Sequence, residues 1–536
     1  MNRTVWITVA LLVAALGSRL FIATRLATDE PDDGRVYARI ALNVLDHHGY
    51  SVETEEPYSP TYIRVPGYPL FLALTYKVLG LENNHAVRIL QAVLDTLTCL
   101  LIGCLAWTWA PRSWTGRQRM RALNSGLALA IVCPFIGIYV ATILTETLAT
   151  LLITASVLAA SVALRFLEER KRSLWWAVSG LFAGLATMVR PEAGLFGAGL
   201  GVVMVLVVAS DWKTARLTGF QHVRRLFGTV AINAALLCTA FGVVLAPWTI
   251  RNARVFGVFQ PIAPTRAGMP GDFIAYGYIR WLKTWVDDGR YVGPFEWALD
   301  ERVIDVNQAP QHAFDSPEER AEVVRLFDQY NGPGASAQQS IKETAPPQQP
   351  KESGDDGEAD PEDSDEQDEP DEEVAPPPDG LTPQLDEQFD KIAQARIARH
   401  PIRYYVVLPV RRAISMWFDT HSQYYPFDGS LFPLQSLDRD LHQQYWLPVF
   451  ALGTWSFTLL GLAGCVVIFR RGEKRWLLML CLLLAPRLIL LSSFENPEPR
   501  YVIELFALLL AAGSLPVALL LERMARRVFP RSDSPA

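Results

Sequence analysis

The sequence is poor in cysteine and histidine and lacks the common catalytic signatures. It has 6 cysteines and 8 histidines in 536 residues. All the cysteines lie inside apolar runs, without CxxC or Cys/His ligand spacing, so neither a disulfide framework nor a zinc site is indicated. The sequence also has no GxxxxGK[ST], GxGxxG, HExxH or GxSxG motif. Nucleotide-driven transport and soluble dinucleotide chemistry therefore have no support.

The net negative charge of the chain comes from one segment. The formal net charge is -7, but residues 351–380 alone contain 15 acidic residues and one lysine. The rest of the chain is net positive, and its basic residues lie in short loops rather than along one stripe. This pattern excludes the electrostatic footprint of a nucleic-acid-binding protein, so we expect no nucleic-acid partner.

Aromatic residues are absent from 331–380, a stretch rich in Pro, Ser, Gln, Asp and Glu. Such a composition cannot bury enough apolar surface to offset the entropy lost on ordering. We therefore expect a disordered acidic insert within a long loop, 251–445. After Leu381 a helical pattern returns through Ile392 and Tyr404, and we expect this part to lie along the membrane.

Long apolar runs dominate the remainder, and half of all residues are hydrophobic. Runs of about 20 residues suit a hydrocarbon core of about 30 Å. About ten are present, near 5–22, 86–110, 122–141, 143–164, 174–189, 193–210, 226–248, 446–469, 476–493 and 501–521. The first is expected to be a retained span in which Arg19 snorkels to the interface. The sequence predicts an all-α polytopic membrane protein, with the short run Phe71–Leu79 at the interface.

The basic clusters orient these spans. If every run crosses once, the clusters after residues 110, 164, 210, 469 and 521 share one side, which the positive-inside rule assigns to the cytoplasm. The opposite side then receives an acidic loop, Thr28–Leu70, and the turns near residues 190, 251 and 500. We expect an active site there, in the first loop at 25–70.

That acidic loop carries the groups that chemistry at a membrane surface needs. Four acids, Asp29, Glu30, Asp32 and Asp33, crowd the start of a predicted helix, and Tyr37 lies one turn after Asp33. Crowded carboxylates raise one another's pKa and suit a general base. Acids at a helix N-terminus also offset the helix dipole, so a purely structural role remains open.

Six short motifs occur in the outward-facing turns: Asp33 with Tyr37, RVPGYP (64–69), LTE (144–146), RPE (190–192), APWTIRN (246–252) and PRY (499–501). In this order they resemble the GT-C fold membrane glycosyltransferases, family 39-like. The chain is most similar to bacterial relatives of the dolichyl-phosphate-mannose protein mannosyltransferases and the aminoarabinose transferases. The resemblance covers about 1–265 and returns at 495–505. It implies a GT-C type helical bundle.

The resemblance also implies an activity. Such enzymes move one sugar from a polyprenyl-phosphate donor to a lipid, glycan or protein acceptor on the outer face of the membrane, usually with inversion. A carboxylate takes the acceptor proton while cations stabilise the departing phosphate. We expect the same here, in contact with membrane lipids of a bacterial cytoplasmic membrane and the cell envelope.

Several residues take roles through this resemblance. Asp33 matches the first-loop catalytic acid, and Glu146 matches a second acid at the outer end of a span. The expected substrate-binding residues are Asp32, Tyr37, Arg64, Arg190, Arg251, Arg500 and Tyr501. An arginine just beyond a span can instead be a simple headgroup anchor, an alternative that stays open for Arg190 and Arg251. No cofactor is certain, although Asp33 with Glu146 could supply oxygen ligands to a divalent cation.

The resemblance and the spans suggest three regions: a catalytic membrane module at 1–250, the loop at 251–445 with its insert at 331–380, and C-terminal spans with a cytoplasmic tail at 446–536. Two other functions remain open. A lipid-linked sugar transporter or flippase also needs many spans, but no paired halves are visible. A non-catalytic scaffold would recruit a partner through the acidic insert.

Overall fold

The computed structural model describes residues 3–26, 30–165, 169–214, 220–266, 268–269, 271–332, 380–418 and 441–528. Asp29 and nearly all of the predicted disordered insert lie outside these ranges. The described residues form helices and no strand. The predicted all-α class is therefore confirmed for the described part of the chain.

Seventeen α-helices make up this part. The first ten are α1 (Arg3–Arg25), α2 (Asp32–Leu45), α3 (Gly67–Leu79), α4 (Asn84–Trp109), α5 (Gly116–Val132), α6 (Pro134–Gly137), α7 (Glu146–Arg165), α8 (Glu169–Val189), α9 (Gly194–Thr214) and α10 (Phe220–Phe256). The other seven are α11 (Tyr276–Lys283), α12 (Pro317–Asn331), α13 (Pro383–Arg399), α14 (Leu408–Phe418), α15 (Leu441–Arg470), α16 (Lys474–Ser492) and α17 (Ile503–Val528). A π-helical turn, Arg403–Val407, leads directly into α14.

Eight described helices are long and apolar enough to cross a membrane, or nine if the bent pair Gly116–Val132 and Pro134–Val140 counts as one span. The chain is thus a multi-pass membrane protein. The sequence predicted about ten spans. The additional run, 174–189, forms α8, which begins with charged residues and is less apolar than the others.

Helix α8 nevertheless runs antiparallel to α7 along its whole length. Ser179 of α8 and Ser156 of α7 hydrogen-bond near the middle of both helices. At one end Arg190, just after α8, contacts Glu146, the first residue of α7. Since α7 is long and apolar enough to span, α8 covers the same depth, which keeps the basic loops on one side as the sequence predicts.

Contacts divide the chain into two compact units. The first comprises Met1–Asp272, Ala413–Leu491 and Glu498–Ala536, and the second comprises Phe273–Arg412 and Ser492–Pro497. In the first unit α17 is central: 83% of the most apolar stretch of its span, Pro499–Arg527, is buried. The C-terminal spans therefore pack with the N-terminal ones. The predicted three-region division by topology stays a prediction.

The second unit has its own apolar core. Trp281 and Trp285 near α11, Phe327 of α12 and Phe389 of α13 are all buried there. The sequence expectation that this part of the chain lies along the membrane stays a prediction for α13. Its apolar stripe, which includes Phe389 and Ile392, packs against protein within this unit.

Arg19 provides a correction. The sequence predicted a side chain that snorkels to the interface, but Arg19 is 1% exposed and contacts Asp95 at 2.5 Å. It also donates to the carbonyl oxygens of Ala130 and Ile131. These carbonyls lie at the end of α5, just before the bend at Pro134, where an intrahelical partner is missing. Arg19 therefore links α1 to α4 and caps the C-terminal carbonyl groups of α5.

Candidate active site

Asp33 lies in the first turn of α2 and is held by two arginines. Its Oδ1 accepts a hydrogen bond from Nη2 of Arg64 at 2.9 Å, and its Oδ2 accepts one from Nη2 of Arg500 at 3.2 Å. The Asp33 side chain is 30% exposed. The structure thus brings together three residues from distant parts of the sequence that were predicted to form the site.

The position of Asp33 depends on how closely α2 approaches the chain before α7. A Cβ atom at Gly34 would lie 2.7 Å from the carbonyl oxygen of Ile143, which is too close for any other residue without a shift. Pro31, in an extended conformation, precedes the helix as its N-cap. The turn carrying Asp33 is therefore pressed against the segment that leads into Glu146.

The loop before α3 brings Arg64 to Asp33. Gly67 begins α3, and a Cβ atom there would lie 2.4 Å from the carbonyl oxygen of Met188, so only glycine allows this contact. The hydroxyl of Tyr50 donates to the carbonyl oxygen of Arg64 at 3.1 Å and fixes the backbone further. The RVPGYP motif thus forms a bend that returns the Arg64 cation to Asp33.

Arg500 lies in a short 3-10 turn, Pro499–Val502, just before α17. Besides Asp33 it contacts Glu498, to which Nη2 donates at 3.3 Å. The hydroxyl of Tyr501 donates to the same carboxylate at 3.0 Å. Glu498 is buried, so it fixes both Arg500 and Tyr501 in place.

The electrostatic environment of Asp33 differs from the one predicted. Burial by itself would raise the pKa of Asp33, but attraction to Arg500 and Arg64 outweighs it and holds that pKa below its ordinary value. The sequence expectation was a pKa raised by crowded acids. The flanking guanidinium groups reverse this direction, so Asp33 is an ionised carboxylate at neutral pH.

Glu146 and Arg190 belong to a second, largely buried cluster, whose most exposed member, Glu192, is 20% exposed. Arg190 contacts three carboxylates: Glu146 at 2.8 Å, Glu192 at 2.7 Å and Glu504 at 3.5 Å. Arg487 of α16 contacts Glu504 at 2.9 Å and Glu192 at 3.6 Å. Buried ions need such partners to offset their lost hydration.

This cluster, called here the buried ion network (Glu146, Arg190, Glu192, Arg487 and Glu504), adjoins the Asp33 cluster. Arg487 donates to the carbonyl oxygen of Tyr501 at 3.1 Å, directly beside Arg500. The guanidinium group of Arg190 lies 5.6 Å from the centre of the Tyr501 ring, and that of Arg500 lies 5.4 Å from it. Tyr501 therefore lies between the two groups of charges.

Tyr37 also lies between the two clusters. Burial, followed by repulsion from the Asp33 carboxylate, raises the pKa of Tyr37 to about 12, and Glu146 acts in the same direction. The phenol therefore stays protonated and available as a hydrogen-bond donor. Its ring contacts that of Tyr68 edge to face, with centroids 5.3 Å apart.

Two predicted binding residues make no direct contact with these clusters. The Asp32 side chain is 96% exposed, and among the residues that the structure describes it pairs with the exposed Arg35, at 3.5 Å. Arg251 donates to the carbonyl oxygen of Thr61 at 2.7 Å. Its guanidinium group also packs on the rings of Tyr50, Trp248 and Phe256. Arg251 therefore braces the loop before Arg64, and its predicted substrate contact stays a prediction.

The sequence analysis missed Glu498, Arg487 and Glu504. For two of them a signal was present: Arg487 and Glu504 are charged residues inside apolar runs, and such residues are usually functional or paired. That reasoning was applied only to Glu146. Glu498 had no comparable signal, since an acid in a turn is ordinary.

The arrangement offers little to a metal ion. Within the described ranges, no three His, Cys, Asp or Glu side chains converge on a position that could hold one. The two acids considered as ligands, Asp33 and Glu146, each contact a guanidinium group. The residues present therefore do not fit the divalent cation that the sequence left open.

Comparison with known proteins agrees with the motifs. Residues 60–218 match the family described as dolichyl-phosphate-mannose-protein mannosyltransferase. This match includes Arg64, Glu146 and Arg190, and it confirms the resemblance found in the sequence. It also supports the expected class, a membrane glycosyltransferase. No curated protein sequence matches the chain.

Solved structures with similar chains were also found. Archaeal oligosaccharyltransferase AglB from Archaeoglobus fulgidus, in complex with an inhibitory peptide and a dolichol-phosphate, has 11% identity and a TM-score of 0.46. The match covers 99% of this chain but only 53% of that one. ArnT from Cupriavidus metallidurans bound to undecaprenyl phosphate has 14% identity and a TM-score of 0.37, with 99% of this chain and 82% of that one covered. TM-scores this low carry no argument about function.

Proposed function

We propose that the chain is a membrane glycosyltransferase that moves one sugar from a polyprenyl-phosphate donor to an acceptor hydroxyl, with Asp33 as general base. One observation carries this proposal. A single partly exposed carboxylate lies between two arginines that come from opposite ends of the chain. A base beside two cations is the combination that sugar transfer from a phosphate requires.

The proposed reaction is a single displacement. Asp33 takes the proton of the acceptor hydroxyl as its oxygen forms a bond to the anomeric carbon of the sugar. The bond from that carbon to the phosphate oxygen breaks, and the electron pair leaves with the lipid phosphate. Arg64 and Arg500 stabilise the charge on that phosphate. Attack from the face opposite the leaving group inverts the configuration.

A lowered pKa makes Asp33 a weaker base, and donor binding would reverse this effect. Without a donor, both arginines hydrogen-bond to Asp33, and their attraction lowers its pKa and its basicity. A donor phosphate competes for the same guanidinium groups. As they turn to the phosphate, the pKa of Asp33 rises and its oxygens are released for the acceptor. The donor would thus activate the base.

Arg64 has an N–H group that a donor phosphate could use in this exchange. Its Nε is buried and has no hydrogen-bond partner within the described part of the chain. A buried donor without a partner is costly, typically by about 1–3 kcal/mol, so an incoming phosphate oxygen would be favoured there. Arginine suits this role because its planar group can bind a phosphate through two N–H groups.

In this proposal the buried ion network holds the residues of the site in position. Glu146 pairs with Arg190, and their side chains are only 2% and 8% exposed, so an acceptor hydroxyl reaches them less readily than it reaches Asp33. Through Arg487 and the Tyr501 carbonyl the network fixes the turn that carries Arg500. The catalytic role of Glu146 expected from the family stays a prediction, and positioning is the role its contacts support.

We place the site on the extracytoplasmic face of a bacterial cytoplasmic membrane. The basic clusters define the cytoplasmic side, and Asp33, Arg190 and Arg500 follow the opposite ends of the spans. A donor carried by a lipid reaches such a site from within the membrane. This explains how the chain can act without a nucleotide-binding motif.

Sugar transfer by the purified protein tests this function. The protein in nanodiscs is offered a panel of radiolabelled polyprenyl-phosphate sugars, with total membrane extract as the acceptor. We expect label to move from one donor to the acceptor, or slow donor hydrolysis without it. Tight donor binding with no turnover for any sugar would favour the transporter, and neither binding nor turnover would favour the scaffold.

A further inference from the structure

Arginine residues gather at the end of the spans that lies away from Asp33. Helix α7 begins at Glu146, in the buried ion network beside the Asp33 cluster, and ends at Arg165. Its 20 residues rise about 1.5 Å each, so Arg165 lies about 30 Å from Glu146 along the helix. A ligand at this end would therefore be distinct from a donor bound beside Asp33.

Arg165 joins the end of α7 to the end of α4. Its Nη1 donates to the carbonyl oxygens of Thr108 and Ala110, the latter at 2.9 Å. Both carbonyl groups lie at the C-terminal end of α4, where the last carbonyls lack an intrahelical donor. One guanidinium nitrogen is thus enough for this structural role. The Nη2 of Arg165 is buried and has no hydrogen-bond partner within the described ranges.

Arg119 of α5 has a similar unused group. Its Nη2 donates to the carbonyl oxygen of Arg112 at 3.0 Å, two residues after the Ala110 carbonyl that Arg165 holds. The Nε of Arg119 is buried, and it too lacks a hydrogen-bond partner among the residues that the structure describes. Two neighbouring guanidinium groups therefore each keep a buried N–H group unused, and a buried donor without an acceptor is costly.

Negative charge at this end is already engaged. Three arginines and one glutamate are the charges that act most strongly on Arg165: Arg119, Glu473, Arg475 and Arg112. The Glu473 carboxylate accepts hydrogen bonds from Nη2 of Arg475 at 2.8 Å and from the backbone N–H of Arg112 at 2.9 Å. In the part of the chain that the structure describes, the side chains of Arg112, Arg119 and Arg165 form no ion pair. An anion would relieve the repulsion between these like charges.

We propose that Arg112, Arg119 and Arg165 bind the phosphate group of an anionic phospholipid. Guanidinium groups suit this ligand, because each can donate two N–H groups to phosphate oxygens. Helices α4 and α7 are both long and apolar enough to cross a membrane, and both end here. The three arginines therefore lie at the level of the lipid headgroups, where basic pockets between membrane helices bind such lipids.

The exposed side chain of Arg112 leaves the site open to an incoming headgroup. A bound phosphate would link the ends of α4, α5 and α7. This site does not depend on the reaction that the protein catalyses, so it can be tested without a sugar donor.

Lipid binding to the full-length protein in detergent tests the site. Native mass spectrometry of the delipidated protein measures dissociation constants for phosphatidylglycerol, which is anionic, and for phosphatidylcholine, which carries no net charge. The test variant is Arg112→Gln/Arg119→Gln, which keeps the contact of Arg165 with α4. The matched control is Arg470→Gln/Arg471→Gln, which removes the same charge from two exposed arginines just before α16.

We expect the test variant to bind phosphatidylglycerol at least about 10-fold more weakly than the unmodified protein, the usual effect of losing a hydrogen bond to a charged group. The control should keep its affinity, and phosphatidylcholine should bind weakly to all three proteins. Thermal midpoints matching that of the unmodified protein show that each variant is folded. Arg112→Gln alone, a change at an exposed position, should give a smaller loss in the same direction.

Three results would overturn the proposal. Equal losses in the test variant and the control would show that only the overall charge of this face matters. Unmodified protein that binds both lipids equally would show that the site does not recognise an anionic headgroup. Displacement of phosphatidylglycerol by inorganic phosphate at an equal concentration would make free phosphate, rather than a lipid, the ligand.

Discussion

Two neighbouring aspartates show what the residue scale adds to the sequence. Asp32 and Asp33 have the same chemistry and adjacent positions, and only the spacing to Tyr37 that the family resemblance implies assigned them different roles. In the structure Asp32 is almost wholly exposed, whereas Asp33 is held by Arg64 and Arg500. Their difference arises from contacts with residues 31 and 467 positions away, which no local pattern records.

The two arginines should control donor use. Arg64→Ala and Arg500→Ala each remove a charged hydrogen-bond donor for the phosphate, worth about 1.5–3 kcal/mol, so we expect the KM for the donor to rise about 10- to 100-fold. The KM for the acceptor should change much less. The control is Arg35→Ala, which removes an exposed arginine from the same helix as Asp33. Equal effects on donor and acceptor would remove the proposed phosphate role.

The pH dependence of the reaction follows from the direction of the Asp33 shift. Because the pKa of Asp33 is lowered in the free protein, the carboxylate stays ionised, and kcat/KM should lose activity through Asp33 only at pH values more acidic than the ordinary pKa of an aspartate side chain. If donor binding draws the arginines away, the acid limb of kcat should lie at higher pH than that of kcat/KM. Initial rates from about pH 3 to pH 8, at low and at saturating donor, measure both limbs. An acid limb of kcat/KM near pH 6–7 would contradict this account.

At the scale of elements, the positions of helices were predictable from the sequence. The contacts between buried side chains of different helices were not. The spacing of Val36, Ile40 and Val44 predicted α2, which the structure places at Asp32–Leu45. The fate of Arg19 was not predictable in the same way. A snorkelling arginine and a buried paired one have the same sequence signature, and the partner Asp95 lies on another helix.

The Arg19–Asp95 pair should contribute strongly to stability. Removing one partner leaves a buried charge without compensation, so Arg19→Met should lower the free energy of unfolding by about 3–5 kcal/mol. Arg19→Met/Asp95→Leu should recover much of that loss, because no charge then remains buried. Thermal unfolding of the purified protein in detergent measures both variants. As a control, Arg35→Met changes an exposed arginine and should leave the thermal midpoint unchanged. If Arg19→Met and the double variant lowered the midpoint equally, lost packing rather than an unpaired charge would be the cause.

At the scale of the whole molecule, the apolar runs predicted most of the membrane spans, and the orientation inferred from the basic loops stays a prediction. The structure adds that the C-terminal spans pack with the N-terminal ones in one unit, with α17 at its centre. It also shows a folded second unit in what the sequence treated as a loop. The contact between α11 and α13, such as that of Gly277 with Asp386, joins residues 109 positions apart, so no local pattern could show this shared core.

The acidic segment 351–380 should be dispensable for folding. Its composition cannot support a core, so its deletion removes no packed surface. We expect the deletion variant to reach the membrane and to give the same thermal midpoint and sugar transfer as the full chain. Loss of membrane insertion or folding would show that the composition was misinterpreted. Normal folding with lost activity would instead assign the segment a role in acceptor recruitment.

The central claim is that Asp33 is the base, and one pair of variants tests it most directly. Asp33→Asn removes the negative charge with almost no change in volume, and Asp32→Asn makes the same change one residue away, outside the arginine pair. With the labelled donor that the sugar-transfer panel selects, we expect Asp33→Asn to lower kcat by about 10²- to 10⁴-fold, the usual contribution of a general base. Expression and membrane insertion should be intact, and Asp32→Asn should transfer sugar at nearly the normal rate. Full activity of Asp33→Asn, or equal losses in both variants, would contradict the assignment of the base to Asp33.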